Sequence, residues 1–423
     1  MKRLELFRNR LYQKAKEDRK RKFHSLHDKI CRMDALQESW KLVHANHGAA
    51  GVDNQTVEDI ESYGIGRFLT EIQKELNTET YVVPSVRRVY IPKENGKQRA
   101  LGIPTVRDRI IQQAVKLVIE PIFEADFRDF SYGYRPGKSA KHAFEEIRKY
   151  LNYGCTNIID IDIKGFFDHM DHEKLLFFVS RRISDPYVLK LIREWLRAGI
   201  VFQGNTSYPD EGTPQGGVIS PLLANIYLNE LDTLWVRRKM DDRHGENAHL
   251  IRYADDCAVL TSGKPEKAMA TLDRIIELLG LELNEDKSRI TTAKEGFDFL
   301  GFHFTRTRDA RRKKDITYAR PSARSVDRFR NKVKEIVPRR YAFIKPINEA
   351  VKQLGHLIRG WYNYYRHTNA ARIFRRLQAF VQWKLAKYYC WIHKIRRVSY
   401  LPGIYNRIRD YGLASLQGGI HYA

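Results

Sequence analysis

Five aspartates in two short segments carry the most chemistry in this sequence. Asp160, Asp162 and Asp168 fall within IDIDIKGFFDHMD, and Asp255 and Asp256 close the segment RYADD, 95 residues after the first of them. Alternation along a strand places Asp160 and Asp162 on one face. An apolar strand ending in a carboxylate, beside a tight turn presenting two more, can clamp two divalent cations about 3.5–4 Å apart, the arrangement that suits phosphoryl transfer. Mg²⁺ fits such a sparse site, because it takes a few carboxylates and completes its shell with water and substrate phosphates. An acidic β-turn is the bland reading of ADD, a common turn sequence. The DxD strand upstream is what turns the balance. Asp168 suits a helix cap or a turn.

The elements that must hold these groups can be read around them. Residues 157–163 (NIIDIDI) read as an apolar strand, and 248–261 as two β runs meeting at Ala254-Asp255-Asp256. Residues 78–105 read as paired strands around Glu94-Asn95-Gly96. Lys93 and Arg99 flank that turn. They are either two solvated charges or a pair that folds over a triphosphate, Lys as a point charge and Arg as a fork. Helical spacing covers about 108–124, 172–200 and 264–279, and a Gly/Pro-rich opening leads into a helix over 212–232. A short strand and FDFLGFHF (297–304) follow.

Charge is distributed unevenly. The chain has 423 residues and a net charge of +24, of which the first 30 residues carry +7 and residues 301–423 carry +22, leaving −5 for the centre. Two basic ends on an acidic body point to a polyanionic partner, nucleic acid first. At 43% hydrophobic and 12% aromatic residues the chain is a folded protein of two or three domains. The longest uncharged run, Gly212–Asn229, is broken by Pro, Gly and amides, which argues against a membrane span. The opening MKRLELFRNR has no apolar core of a secretory signal. Cys31, Cys155, Cys257 and Cys390 form no close pair, which favours a reducing cytoplasm over a disulfide or zinc framework.

Seven segments then resolve the family. In order they are IPKENGKQRALGIPTVRDRIIQQA (91–114), SYGYRPGKSA (131–140), DIDIKGFFD (160–168), EGTPQGGVISPLLANIYL (211–228), RYADDCAVL (252–260), LNEDKS (283–288) and FLGF (299–302). This series closely resembles the reverse transcriptases encoded by group II introns. The resemblance implies an α+β right-hand polymerase, with fingers, an antiparallel-sheet palm of RRM-like type and an α-helical thumb and maturase region. It implies a basic N-terminal extension (1–30), fingers and palm (31–304), a basic hairpin or linker (305–321), the thumb and maturase-specific domain (322–400) and a short tail (401–423). Asp162, with the Ile163 carbonyl, and Asp255 and Asp256 match the family's metal-binding positions. Mg²⁺ is the implied ion, with Mn²⁺ a substitute. Lys93, Arg99 and Gln215 match its deoxynucleotide pocket. Phe167 matches the aromatic that blocks a ribose 2′-OH, with Phe166 the competing choice and core packing the alternative for either. Arg135, Gly216 and Lys287 match positions that contact template, primer or phosphate.

The basic C-terminal segment resembles the same family's maturase region, most plainly in LGHLIRGWYNYYR (354–366). Leu354, Leu357, Ile358 and Trp361 make one apolar stripe, as do Phe380, Trp383 and Leu385. The opposite face holds Arg359, Arg366, Arg372, Arg375, Arg376 and Lys384, suited to RNA phosphates. Most of Trp361, Tyr364, Tyr365 and Trp383 are expected in a helical core. The whole reads as an RNA-directed DNA polymerase that binds intron RNA, assists splicing and extends a DNA or RNA primer with dNTPs. Two rivals are a maturase with a decayed polymerase and a relative recruited to phage defence or spacer acquisition. Only 26 residues follow Arg397, so an H-N-H endonuclease is not expected and a DNA-binding region is very short or absent.

Overall fold

A computed structural model describes residues 2–92, 96, 98–202, 205–208, 211–212, 216–242, 246–309, 313–338, 346–395, 404 and 411–416. The chain forms two compact units. The first holds residues 1–143, 159–259 and 263–289, and the second holds 144–158, 260–262 and 290–423.

The first unit opens with α1 (Lys2–Glu17), α2 (His27–Ile30), α3 (Met33–His44), α4 (Val57–Tyr63) and α5 (Ile65–Asn77). The basic N-terminus is thus largely helical and packs into this unit. Leu4, Leu11 and Ala15 of α1 are buried. Asp185 then ties the following segment down, accepting from the Leu26 and His27 amides at 2.8 and 2.9 Å. The same carboxylate caps α9 (Pro186–Leu196) through the Tyr187 and Val188 amides, both at 3.1 Å. One buried side chain thus satisfies four backbone donors from two parts of the chain.

β1 (Val86–Pro92) and β2 (Gln98–Ile103) are antiparallel, as the alternation predicts, with Arg99 opposite Ile91. β1 also pairs in parallel with β4 (Ile200–Phe202), which turns back antiparallel as β5 (Asn205–Ser207). The helix α6 (Val106–Glu124) is buried on nearly every side and forms the hub of this unit. Its Asp108 accepts from Tyr81 and Trp195 at 2.7 Å and from Gln112 at 2.8 Å. Burial pushes that carboxyl up to about 6, against these hydrogen bonds and the charge of Arg109.

After α7 (Ala140–Asn152), a four-stranded sheet has the order β6-β7-β3-β8, from β3 (Asn157–Ile161), β6 (Ala248–Tyr253), β7 (Asp256–Thr261) and β8 (Arg289–Thr292). Between β3 and β6 run α8 (His172–Ser180), α9 and α10 (Ser220–Arg237). Between β7 and β8 runs α11 (Pro265–Leu278). This is the split βαβ arrangement, with the first strand inside the sheet next to the third and fourth. The helical run expected over 172–200 is two helices: α8 stops at Ser180, and Asp185-Pro186 starts α9.

The second unit contains β9 (Phe297–Phe299), β10 (Phe302–Asp309) and β11 (Lys314–Pro321), then α12 (Ala323–Ile336), α13 (Ile347–Tyr365) and α14 (Ala371–Ile392). The compact units divide at residue 290, ahead of the change in composition after Phe304. Of the two readings of 305–321, hairpin or linker, the structure takes the hairpin: β10 and β11 pair antiparallel over eight residues and carry the buried Phe304 and Ala319. The Phe302 and Phe304 rings pack on Phe144 at 4.7 and 5.4 Å, which brings most of α7 into this unit. The expected tail is also partly packed, since Leu416 is buried and its amide donates to Gln378 at 2.8 Å.

Candidate active site

Asp162 stands one residue past the end of β3, held from the side by the segment LNEDKS. Its amide donates to Ser288 Oγ at 3.2 Å and its carbonyl accepts from the Asn284 amide at 2.8 Å. The neighbouring Lys164 amide donates to Glu282 O at 2.9 Å. These ladder bonds do not use the Ile163 carbonyl. Both Asn284 Nδ2 and Lys287 Nζ reach Oδ2 of Asp162, at 2.9 and 2.8 Å. Lys287 therefore neutralises the carboxylate directly, a role that its sequence match to a primer or phosphate ligand did not foresee.

Asp255 and Asp256 lie at the β6–β7 turn, where Ala254 takes a left-handed φ of 58°. A non-glycine residue in that region costs energy and persists only when surrounding structure fixes it. The fixing network is buried. Arg252 pairs with Asp232 of α10, both side chains fully buried, with Nε 2.9 Å from Oδ1. Its Nη1 donates to Asn225 Oδ1 at 2.9 Å and to the Ala254 carbonyl at 3.1 Å. Asn225 Nδ2 in turn donates to Gly133 O at 2.8 Å. Gly133 presses on the turn itself, since a Cβ there would stand 2.3 Å from Ala254 N. This explains the glycine in SYGYRPG as a close backbone approach. The stretch beside Gly133 pairs with β6, because Tyr132 N donates to Arg252 O at 2.8 Å and Arg252 N to Phe130 O at 2.9 Å. Arg252, Asp232, Asn225 and Gly133 were not identified from sequence. The available signals were an arginine inside the apolar strand LIRYA and an aspartate on the core side of α10.

The carboxylates feel one another. Desolvation leads in raising Asp255, Arg99 opposes it, and Asp162 adds to the rise. Asp256 is open to solvent yet surrounded by protein. Desolvation first, then the charges of Asp255, Asp162 and Asp160, bring its pKa up to about 6, with Lys287 opposing. Asp160 lies on β3 with Arg289 3.9 Å away. Carboxylates close enough for the charge of one to raise another form a donor set for a hard cation. Among the described residues no three His, Cys, Asp or Glu side chains make a ready metal-binding group. An ion on Asp162 Oδ2 competes with Lys287, and it completes its shell from water or substrate.

Around this centre, Arg99 is exposed on β2 and close enough to act electrostatically on Asp255. Phe166 is buried against Tyr227, 6.2 Å between ring centroids, so it belongs to the core, whereas Phe167 is half-buried. Asp168 sits in a turn, its amide 2.7 Å from Gly165 O, and the cap of α8 is Asp171 instead. Gly216, with φ 126°, packs on β2, where a Cβ would meet Gly102 O at 2.5 Å. Gln112 on α6 fixes the segment after it, accepting from the Val218 amide at 2.8 Å. Lys93 and Gln215 lie outside the described residues.

Arg135 is corrected. Its guanidinium is 4% exposed, bound to Glu124 by Nε and Nη2 at 2.9 and 2.6 Å and to Ser131 O by Nη1 at 2.7 Å. It anchors the loop that carries Gly133 and does not reach out to a template.

In the second unit Arg359, Arg366, Arg372, Arg375 and Arg376 are exposed, the last three within one turn of α14. Lys384 differs, being half-buried over the Phe380 and Trp383 rings at 5.9 and 5.4 Å. Trp361 packs among Phe329, Tyr365 and Phe374, and Tyr365 is buried, as expected of a core. Tyr364 and Trp383 are not core, at 41% and 37% exposed.

Residues 91–304, half of the chain, match the family described as "Reverse transcriptase (RNA-dependent DNA polymerase)", and residues 326–402 match "Group II intron, maturase-specific domain". The chain belongs to the group II intron reverse transcriptase and maturase family. "Protein YkfC" of Escherichia coli is 35% identical over 317 residues, covering 66% of this chain and 82% of that protein. "Group II intron-encoded protein LtrA" of Lactococcus lactis is 30% identical over 355 residues, covering 69% of this chain and 58% of LtrA. "Uncharacterized 91 kDa protein in cob intron" of Schizosaccharomyces pombe is 29% identical over 307 residues, covering 60% of this chain and 37% of that protein. The chain thus spans less than two thirds of the latter two. The reverse transcriptase family match encloses Asp162, Asp255 and Asp256, and the maturase match encloses the arginines of α13 and α14. Among the described residues no helix is long and apolar enough to cross a membrane.

Proposed function

We propose that this chain copies RNA into DNA at the end of β3 and the β6–β7 turn, and grips group II intron RNA with its second unit to assist splicing and mobility. The observation that carries the reading is the carboxylate cluster of Asp255 and Asp256, both raised by burial and by the charge of Asp162, backed by a buried network with no other evident task. In this reading β3, β6, β7 and β8 are the palm, β1 and β2 belong to the fingers, and α12 to α14 form the thumb and maturase region.

Asp162, Asp255 and Asp256, with the Ile163 carbonyl, would hold two Mg²⁺ ions. Bound Mg²⁺ supplies the positive charge that stabilises the triphosphate and favours loss of the primer hydroxyl proton. The chain's own groups do the rest. Lys287 stands 2.8 Å from Asp162 and keeps the site from accumulating unbalanced negative charge before substrate arrives. Arg99, across from Asp255, orients the triphosphate with Lys93. Phe167 presents an apolar wall where a ribose 2′-OH would lie, and Gln215 and Gly216 line the incoming base pair. Arg359, Arg366, Arg372, Arg375 and Arg376 take RNA phosphates.

Primer extension on an RNA template tests this. With Mg²⁺ and dNTPs the chain should make cDNA, and Asp255→Asn should abolish synthesis while RNA affinity stays within about twofold, the size of a surface change. Joint loss of synthesis and binding would make the turn structural. No cDNA from the unmodified chain, with intron RNA still bound, would leave only the maturase role.

A further inference from the structure

The first unit contains a cavity of about 530 Å³ that none of the candidate active-site residues lines. It opens where four helices end: α1 at Glu17, α6 at Glu124, α8 at Ser180 and α10 at Arg237. Cations dominate its walls. Of these, Arg181 is paired with Glu230 at 2.6 Å and Arg182 with Asp126 at 3.2 Å. Lys20, Lys22, Arg128 and Arg237 also line it and make no ion pair among the described residues.

Helix C-termini attract cations, and that accounts for part of this charge. It does not account for three other features of the same walls. Phe177 is 62% exposed, on a helix whose other large apolar groups are covered. Asn229 Oδ1 and Arg128 Nε are buried and have no hydrogen-bond partner. A buried acceptor and a buried donor without partners carry a cost that a ligand with both groups would remove. An exposed aromatic face, unpaired cations and open hydrogen-bonding atoms are the features that single-stranded nucleic acid uses, with phosphates on the charges and a base on the ring.

We propose that this cavity captures an unpaired nucleotide of an RNA strand. Its phosphates lie on Lys20, Lys22 and Arg237, its base stacks on Phe177, and Asn229 Oδ1 accepts from its exocyclic amine or ribose hydroxyl. The site is a second RNA anchor, built into the polymerase unit and separate from the arginines of α14. It rests on the reading of the chain as an RNA-acting polymerase.

Full-length chain and a short fluorescent single-stranded RNA containing 4-thiouridine test the proposal. Irradiation should join the RNA to the peptide that carries Phe177, and anisotropy titrations should give the affinity. Phe177→Ala should abolish that crosslink and weaken binding by roughly fivefold or more, as loss of one stacked base does. Lys20→Glu with Arg237→Glu should lower the salt slope by roughly 0.7 for each phosphate that is no longer neutralised. Phe177→Trp should keep the affinity, and its fluorescence should be quenched when RNA is added. All three variants should extend a saturating pre-annealed primer normally, since none touches the carboxylates. Absence of a crosslink in this peptide, or unchanged affinity and slope in both loss variants, overturns the proposal. A loss confined to polyglutamate or to anionic phosphatidylserine vesicles also overturns it, and assigns the cavity to an acidic protein or a membrane. Failure of the unmodified chain to make cDNA would refute the polymerase reading alone, because the crosslink does not depend on synthesis.

Discussion

Lys287 Nζ lies 2.8 Å from Asp162 Oδ2, the oxygen that also accepts from Asn284 Nδ2 at 2.9 Å. An ammonium thus sits on one of the two carboxylate oxygens that a hard cation would bind. The pair is exposed on the lysine side, so its own contribution to stability is small. Its consequence is competition. Lys287→Met should lower the Mg²⁺ concentration giving half-maximal primer extension at pH 8, because a competing cation has gone and the carboxylate cluster is more negative. The same variant should slow turnover if the displaced ammonium of the unmodified chain meets a phosphate. A Mg²⁺ titration of both proteins decides, and an unchanged or higher half-saturation contradicts the competition.

Asp256 gives the site a pH dependence. Its carboxyl is raised from 3.8 to about 6, so it still binds a proton in the folded chain at pH values where the unfolded chain has released it. That contribution to stability is present below pH 3.8 and is lost as pH rises through about 6. At pH 8 the group is charged and works against folding. Asp256→Asn should therefore raise the melting temperature of the metal-free chain at pH 8 and change it little at pH 4. Mg²⁺ binding to the unmodified chain should weaken below about pH 6, where the proton competes for the carboxylate. Scanning calorimetry at the two pH values checks the first expectation. An equal shift at both would mean that Asp256 is not perturbed in the folded chain.

The Arg252–Asp232 pair separates stability from activity. Both side chains are fully buried, and Arg252 also holds the Ala254 carbonyl. Asp232→Leu alone leaves a buried guanidinium uncompensated and should cost about 3–5 kcal/mol. Arg252→Met with Asp232→Leu should recover most of that, since an apolar pair of similar volume can replace a buried ion pair. The double variant should still lose cDNA synthesis, because the Ala254 carbonyl beside Asp255 then loses its guanidinium donor. Urea unfolding with primer extension on the same samples reads both. Full activity in the double variant would show that Gly133 and the sheet alone position the turn.

Much of this site was legible because period-two alternation and an acidic turn are local signals. NIIDIDI gave β3 and the placement of Asp162, and RYADDCAVL gave the β6–β7 turn with its two carboxylates. What was not legible depended on partners distant in sequence. Arg135 lies in an exposed-looking YGYRPG, and only the fold brings Glu124 and the Ser131 carbonyl around it. Likewise, a run of basic residues gives no hint that Asp185 will secure it to the core through Leu26 and His27. The compact units divide at residue 290 although composition changes only after Phe304, because Phe144 packs on Phe302 and Phe304, a partnership distant in sequence.

The strand order β6-β7-β3-β8 has a bearing on how this chain tolerates change in length. After Ile161 the backbone leaves the sheet, and at Ala248 it comes back to form the hairpin that lies alongside β3. The spacing of Asp162 from Asp255 and Asp256 is therefore fixed by hydrogen bonds between neighbouring strands and not by the number of residues in between. An insertion between the end of α10 and the start of β6 has to close a longer connection, and each doubling of loop length costs only about 0.6 kcal/mol. An insertion between Leu283, which bridges to Ile163, and Ser288, which holds the Asp162 amide, would instead shift the register that places the carboxylate. The long excursion is the part of this polymerase that can grow, and the few residues flanking each aspartate are the part that cannot.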